Sequence, residues 1–426
     1  MLDIKFLKDH KEEMIENLKK RNRADKTKEV DDALKQYEES LQLKYQAEGL
    51  RHRRNVVSEE INQLKKQKKD ATNKIKEIKN IPGKIQQIEG KQSQLQEKVQ
   101  KILADLPNIL HPSVPEGKDA NDNVVIKTWG KKRTVNFELQ NHAELLEKAN
   151  LADFETARKA SGQGFNYLLG EMALLDLALQ RYGLDILLKN GFTPVIPPML
   201  LRYETLAGVL NGLKDFEEVV YKIEKEDAYL IGTAEHSLVA LFQDKTIKEK
   251  NFPVKICAVT PCFRKEIGAH GVDTKGLFRM HQFNKVEQVV LAKPEDSFKM
   301  LEQIQAITEK FFQSLEIPYR VVEICSGDIG AKTAKQYDIE AWFPRQNMYR
   351  EVTSASNCTD YQARSLNIKY EDSSGEKKYV HILNNTMVAT SRAMVAILEN
   401  FQQEDGSIEL PKVLQPYMNG LKTICR

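Results

Sequence analysis

Much that would classify this chain at a glance is missing from it. No apolar run approaches the length needed to span a bilayer. The opening Met1-Leu2-Asp3-Ile4-Lys5 soon meets Asp9, Glu12 and Glu13. It has neither the apolar core of a secretory signal nor the acid-poor character of a transit peptide, so a soluble, cytoplasmic protein is expected. Cysteine is scarce: Cys257, Cys262, Cys325, Cys358 and Cys425 are scattered and odd in number. They make no disulfide framework, which fits a reducing compartment. Cys257 and Cys262 have no second pair, so no structural zinc site is expected. Net charge is also lacking, at +3 from 64 basic and 61 acidic residues. A nucleic-acid surface must therefore come from local clustering. Finally, there is no Gly-rich phosphate loop of the Walker or dinucleotide type, so any nucleotide must be held by side chains.

What is present divides the chain in two. From about residue 27 to 106 nearly every residue is charged, amide or aliphatic. Leu43, Leu50, Val57 and Leu64 recur in steps of seven, with Ala47 and Ile61 between them. Ile78, Ile81, Ile85, Ile88, Gln92, Leu95, Val99, Ile102 and Leu106 then alternate steps of three and four. That spacing predicts an antiparallel two-helix coiled-coil hairpin with its tip near Lys66 to Asp70. Pro82-Gly83 is expected to kink the second arm. Arg51, Arg53 and Arg54 cluster on the first arm, and Lys65 and Lys66 lie at the tip with Lys68 and Lys69. Each can neutralise a phosphate, although charge runs are more often solvated faces.

The stretch 107–123 is rich in Pro, Gly, Asp and Asn and ends the helix. The chain is thus read as a domain at 1–110, a linker at 111–130 and a second domain at 131–426. Strand-like runs occur at 254–259, 286–291 and 319–324, and helical patterns at 167–188, 294–315 and 389–401. They do not alternate regularly, so the second domain is α+β and not doubly wound.

The chemistry concentrates there. Cys262-Phe263-Arg264-Lys265-Glu266 opens a glycine-bearing loop that returns through Phe278-Arg279-Met280-His281-Gln282-Phe283. Arg350-Glu351-Val352-Thr353-Ser354 and Thr390-Ser391-Arg392 follow. Arginine forks fit phosphate oxygens and stay charged. Carboxylates among them can hold magnesium or an ammonium. The mixture suits a nucleoside triphosphate beside a small zwitterion.

In this order the chain resembles the seryl-tRNA synthetases over essentially its whole length. Gly191-Phe192-Thr193-Pro194-Val195-Ile196-Pro197-Pro198 after a long helix resembles class II motif 1. Phe263 to Phe283 resembles motif 2, and Asn384 through Arg392 resembles motif 3. Ile231-Gly232-Thr233-Ala234-Glu235-His236 resembles the segment lining the family's amino-acid pocket. Asn385, Met387 and Ser391 stand where bacterial relatives carry glycines, a pattern closer to archaeal and eukaryotic cytosolic forms.

The resemblance implies a class II catalytic domain built on an antiparallel sheet flanked by helices, acting as a homodimer through motif 1 with Pro198 in the motif's proline position. It implies serine, ATP and Mg2+ as ligands, tRNA(Ser) as acceptor and tRNA(Sec) as a candidate second acceptor. Arg264, Glu351 and Arg392 would be catalytic. Thr233, Glu235, Arg264, Glu287, Asn384 and Thr386 would hold serine, Glu287 taking the ammonium. Arg264, Glu266, Arg279, Phe283, Arg350, Glu351, Ser354 and Arg392 would hold ATP. Phe283 would stack on the adenine with Arg392 over its other face. Glu351 and Ser354 would ligate magnesium. Arg51, Arg53, Arg54, Lys65 and Lys66 would meet tRNA, the hairpin of one subunit serving the other's active site. The loop from Gly268 to Gly276, with Lys275, would sense ATP and then the tRNA end. His270 and His281 receive no acid–base role.

Three other readings compete: a catalytically silent relative, a ligase charging a carrier protein, and a structural coiled-coil protein. The retained Arg264, Glu266, Glu287, Glu351 and Arg392 argue against the first. The hairpin argues against the second, and three hundred residues of mixed globular sequence against the third.

Overall fold

A computed structural model describes residues 1–210, 219–266 and 276–425. The chain forms two compact units, Leu2–Pro107 and Asn108–Arg426. Lys275 and His270, with the rest of the loop as far as residue 275, fall outside the described residues.

The first unit opens with two short helices, α1 (Ile4–Asp9) and α2 (Lys11–Lys20), packed on the hairpin. Its arms are α3 (Thr27–Lys66) and α4 (Thr72–Asp105). At 1.5 Å per residue they run roughly 50–60 Å. The expected seam is where the arms meet: Ala47, Val57, Ile61, Ile81, Ile85 and Val99 are buried, and Leu43, Leu50, Leu64, Ile78, Ile88 and Gln92 are half-buried. At the tip the Asp70 carboxylate accepts the Thr72 amide at 2.9 Å, satisfying one of the amide groups that open α4. α4 runs through Pro82 as one helix. Proline removes a single helical hydrogen bond, and Ile81 and Ile85 on either side stay locked in the seam.

The second unit is built on one eight-stranded sheet. Its strands are β1 (Val124–Trp129), β2 (Thr193–Pro194), β3 (Val254–Phe263), β4 (Gln282–Ala292), β5 (Tyr319–Glu323), β6 (Lys335–Phe343), β7 (Met348–Asn357) and β8 (His381–Ala389). They lie in the order β1-β5-β6-β7-β8-β4-β3-β2. Every pairing is antiparallel except β2 with β3. The segment read as a linker at 111–130 thus carries the edge strand of this sheet. Its β-branched run Val124-Val125-Ile126 suits a strand better than a tether.

Side chains along β4 alternate between two faces. Val286, Val290 and Ala292 join the core under α5 (Gly170–Lys189), α7 (Ser297–Ser314) and α8 (Thr390–Asn400). Val289 and Leu291 join a second core with the short helix α6 (Ala234–Ala240). Tyr319, Phe311, Phe312 and Phe343 are fully buried in the first core. Each such side chain contributes about 1.5–3 kcal/mol. This scaffold holds strands β3, β4, β7 and β8 in fixed register, and the candidate site lies on their polar face. No helix among the described residues is long and apolar enough to cross a membrane.

Candidate active site

Strand alternation sorts the residues of motif 3. Asn384 and Thr386 line a cleft. Asn385 faces the opposite side, where its Nδ2 donates to the Ile304 carbonyl and to Thr308 Oγ1, both at 3.0 Å. Met387 lies on that side too, with Thr308 Oγ1 3.8 Å from its sulfur. Asn385 and Met387 therefore contact α7, while Ser391 lines the cleft.

At one end of the cleft lies a buried acid. Glu287 on β4 is fully enclosed. Its Oε2 accepts from Thr233 Oγ1 at 3.2 Å and Thr386 Oγ1 at 3.4 Å, and its Oε1 from Asn384 Nδ2 at 3.4 Å. Lys285, two residues earlier on the same face, places its ammonium 2.5 Å from Oε2. Thr233 caps α6, its hydroxyl accepting the Glu235 amide at 3.3 Å. Asn384 Oδ1 and Thr353 Oγ1 are buried and have no hydrogen-bond partner among the described residues. Both residues belong to segments that line the cleft.

Beside this pocket Glu235 accepts from Lys332 Nζ at 2.5 Å and from Gln362 Nε2 at 2.7 Å. Burial opposes its ionisation, but Lys332 and the neighbouring His236 outweigh it and hold the carboxyl at about 2. Burial pushes His236 down to about 3, so its imidazole is neutral at physiological pH. Glu235 is thus a fixed anion anchored from behind.

The other end of the cleft is rich in arginine. Arg264 leaves β3 with its Nε donating to the Gly232 carbonyl at 3.1 Å, and its guanidinium carbon lies 5.5 Å from the centre of the Phe283 ring. Glu266 takes a left-handed φ of 46°, which turns the chain out of the strand at the loop entrance. Arg279 Nη1 is 3.4 Å from Glu266 Oε2. Arg392 Nη1 donates to the Glu351 carboxylate at 2.8 Å and to its carbonyl at 3.1 Å. Ser354 also lines this part, and Asp338 on β6 stands in register with it. Burial and then the charge of Glu351 push the Asp338 carboxyl upward.

The cleft gathers most of the expected residues: Thr233, Glu235, Arg264, Glu266, Arg279, Phe283, Glu351, Ser354, Asn384, Thr386 and Arg392 all line it. Glu287 stands directly behind Thr233 and Thr386. Arg350 is outside the lining; its guanidinium carbon lies 3.5 Å from the centre of the Phe278 ring, and its Nη1 donates to Gln346 Oε1 at 2.8 Å. The guanidinium carbon of Arg392 lies 5.3 Å from the centre of the Phe278 ring. Lys285, Lys332 and Asp338 were not singled out from the sequence, and Phe278 was named within its motif without a role. Lys285 had a readable signal, since it shares a strand face with Glu287. Lys332 and Asp338 come from distant segments and had none.

On the hairpin, Arg51 and Arg53 are engaged across the arms. Arg51 pairs with Glu89, and Arg53 Nε with Glu77 Oε1 at 2.7 Å. Arg54, Lys65 and Lys66 are exposed.

Comparison with known proteins places both units. Residues 1–110 match the seryl-tRNA synthetase N-terminal domain, and 219–401 match the class II tRNA synthetase core domain shared by the G, H, P, S and T enzymes. The chain is 52% identical to the serine–tRNA ligase of Methanospirillum hungatei over 98% of its own length and 99% of that protein's. The chain belongs to the seryl-tRNA synthetase family. It is 50% identical to the enzyme of Methanocorpusculum labreanum, over 99% of this chain and all of that one. The crystal structure of the seryl-tRNA synthetase from Pyrococcus horikoshii complexed with ATP superposes with a TM-score of 0.95 at 46% identity, covering 100% of this chain and 99% of that one. The cytoplasmic enzyme of Naegleria fowleri, solved with AMP, gives 0.89 at 32% identity over 100% and 98%. The likeness spans hairpin and catalytic core alike, and the chain is an ATP-dependent aminoacyl-tRNA ligase.

Proposed function

We propose that this chain joins serine to ATP as seryl-adenylate and passes the seryl group to the 3′ end of tRNA(Ser). The observation that carries this reading is one cleft with a fully buried carboxylate at one end and arginines with a carboxylate–hydroxyl pair at the other. Glu287 receives the serine ammonium, with Thr233 and Thr386 completing the cage. Asn384, whose buried Oδ1 has no partner among the described residues, takes the serine hydroxyl. Alanine would leave that atom unsatisfied, which is the strong form of discrimination.

Arg264 draws the serine carboxylate and the α-phosphate together. A carboxylate oxygen then bonds to the α-phosphorus as the bond to pyrophosphate breaks. Positioning and charge neutralisation carry the step. Arg279 serves the outer phosphates, Glu266 the base or ribose, and Phe283 the adenine face. Arg350 would have to leave Phe278 and Gln346 to reach the outer phosphates, and Arg392 would have to leave Glu351 to cover the adenine. In the second step a terminal tRNA hydroxyl attacks the acyl carbon and AMP leaves.

The residues present fit Mg2+. Among the described residues no group of three or more His, Cys, Asp or Glu is placed for a metal. Glu351 and Ser354 supply two hard oxygen donors, the remainder falling to phosphates and water. The ion would supply charge neutralisation on the phosphates.

The hairpin is the tRNA reader, through Arg54, Lys65 and Lys66, with Arg51 and Arg53 sharing themselves between phosphate and their carboxylate partners. Serine tRNAs share a long extra arm, which suits shape and backbone recognition. tRNA(Sec) is a candidate second substrate on the same ground. A homodimer through motif 1 is supported by exposed apolar residues on and after α5: Leu174, Leu177, Met199, Leu200 and Ile196, the last wholly exposed. Five free cysteines support a cytoplasmic location. The test is Arg264→Ala in serine-dependent pyrophosphate exchange. Loss of about a thousandfold is expected for a principal charge-stabilising group, and normal exchange would remove Arg264 from the reaction.

A further inference from the structure

Lys285 has no part in the chemistry above, yet it lies inside the cleft. Its side chain is 7% exposed and its ammonium touches the wholly buried Glu287. It also reaches Thr386 Oγ1 at 3.4 Å, one of the two hydroxyls that cage Glu287. Lys285 and Arg264 both line the cleft, so the lysine shares it with the arginine proposed to hold the serine carboxylate. A buried ion pair is a poor source of stability, because an apolar pair of the same volume does as well. Its position suggests a different use.

We propose that the Lys285–Glu287 pair is an internal counterpart of a zwitterion, into which the amino acid exchanges. The ammonium of serine takes Lys285's place on Glu287, and the released lysine takes the serine carboxylate beside Arg264. One ion pair becomes two, and neither protein charge is left alone in the low-dielectric pocket. A ligand with only one of the two charges completes half of this exchange and strands the other ion. The inference rests on Glu287 as the ammonium site and adds Lys285 as a specificity-determining residue.

Full-length protein titrated with L-serine, with L-serinamide (carboxylate masked) and with 2,3-dihydroxypropanoate (ammonium absent) separates the two charges. The wild type should prefer serine to both. In Lys285→Met the serine-to-serinamide affinity ratio should fall about tenfold or more, the worth of a charged hydrogen bond, because the amide's single positive charge now suits an unpaired Glu287. Lys285→Arg should keep most of the ratio. If Lys285→Met does not fold, Lys285→Met with Glu287→Gln removes both charges and should show the same fall relative to Glu287→Gln alone. An unchanged ratio overturns the proposal and leaves Lys285 a fixed structural partner. Normal serine affinity in Glu287→Gln would instead overturn the ammonium assignment itself.

Discussion

Ion pairs in the two units look alike on a distance scale and differ in what surrounds them. Arg53–Glu77 at 2.7 Å and Lys74–Glu60 at 2.7 Å cross the hairpin in contact with water. Lys285–Glu287 and Lys332–Glu235, both at 2.5 Å, lie at the catalytic cleft with almost none. Water screens the first set, so each pair adds little and either partner can turn to another anion or cation. The second set has given up hydration, so removing one partner strands a charge. The hairpin can exchange its carboxylates for phosphates at small cost, whereas the cleft is rigidly committed to ligands that complete its charge pattern.

The largest effect that would break this comparison concerns the hairpin as a whole. Excising residues 27 to 106 should leave serine-dependent exchange near the intact level while tRNA charging falls at least about a hundredfold, since the phosphate contacts go with it. Charging assays on both proteins decide it, and unchanged charging would remove the hairpin as the reader.

A smaller effect sharpens the buried half. Glu235→Gln leaves Lys332 without its anion and should cost about 3–5 kcal/mol in denaturant unfolding. The sign with pH is fixed by the depressed carboxyl. Stability supplied by Glu235 is complete above about 4.5 and is lost as pH falls toward about 2. The wild-type advantage over Glu235→Gln should therefore shrink through that window, and an advantage that stays constant would contradict the anchored anion.

Least of all should follow from Arg53→Ala. Its unfolding midpoint should stay within the scatter of repeated measurements, because the pair with Glu77 is solvated. A loss approaching that of Glu235→Gln would erase the distinction between the two sets.

The same contrast governs how much was legible in the sequence. The hairpin obeys a one-dimensional rule, the heptad. Its arms, Thr27–Lys66 and Thr72–Asp105, fall where the spacing of Leu43 to Leu106 puts them. The second arm continues through Pro82 as one helix, with Ile81 and Ile85 packed in the seam on either side. In the cleft, residues inside contiguous motifs were readable, as with Arg264, Glu351 and Arg392, while Glu287 came from the family resemblance alone. Lys332 and Asp338 reach their places through sheet topology, which no local pattern encodes. Arg350 shows the converse: it is adjacent to Glu351 in sequence, but its guanidinium lies over the Phe278 ring and donates to Gln346.

Pyrophosphate exchange by the intact protein, run with each of the twenty amino acids, tests the central claim most directly. A buried carboxylate caged by hydroxyls and amide should support exchange with serine alone, with alanine and threonine near background. Silence with serine, or equal exchange with alanine, would contradict the account of the cleft.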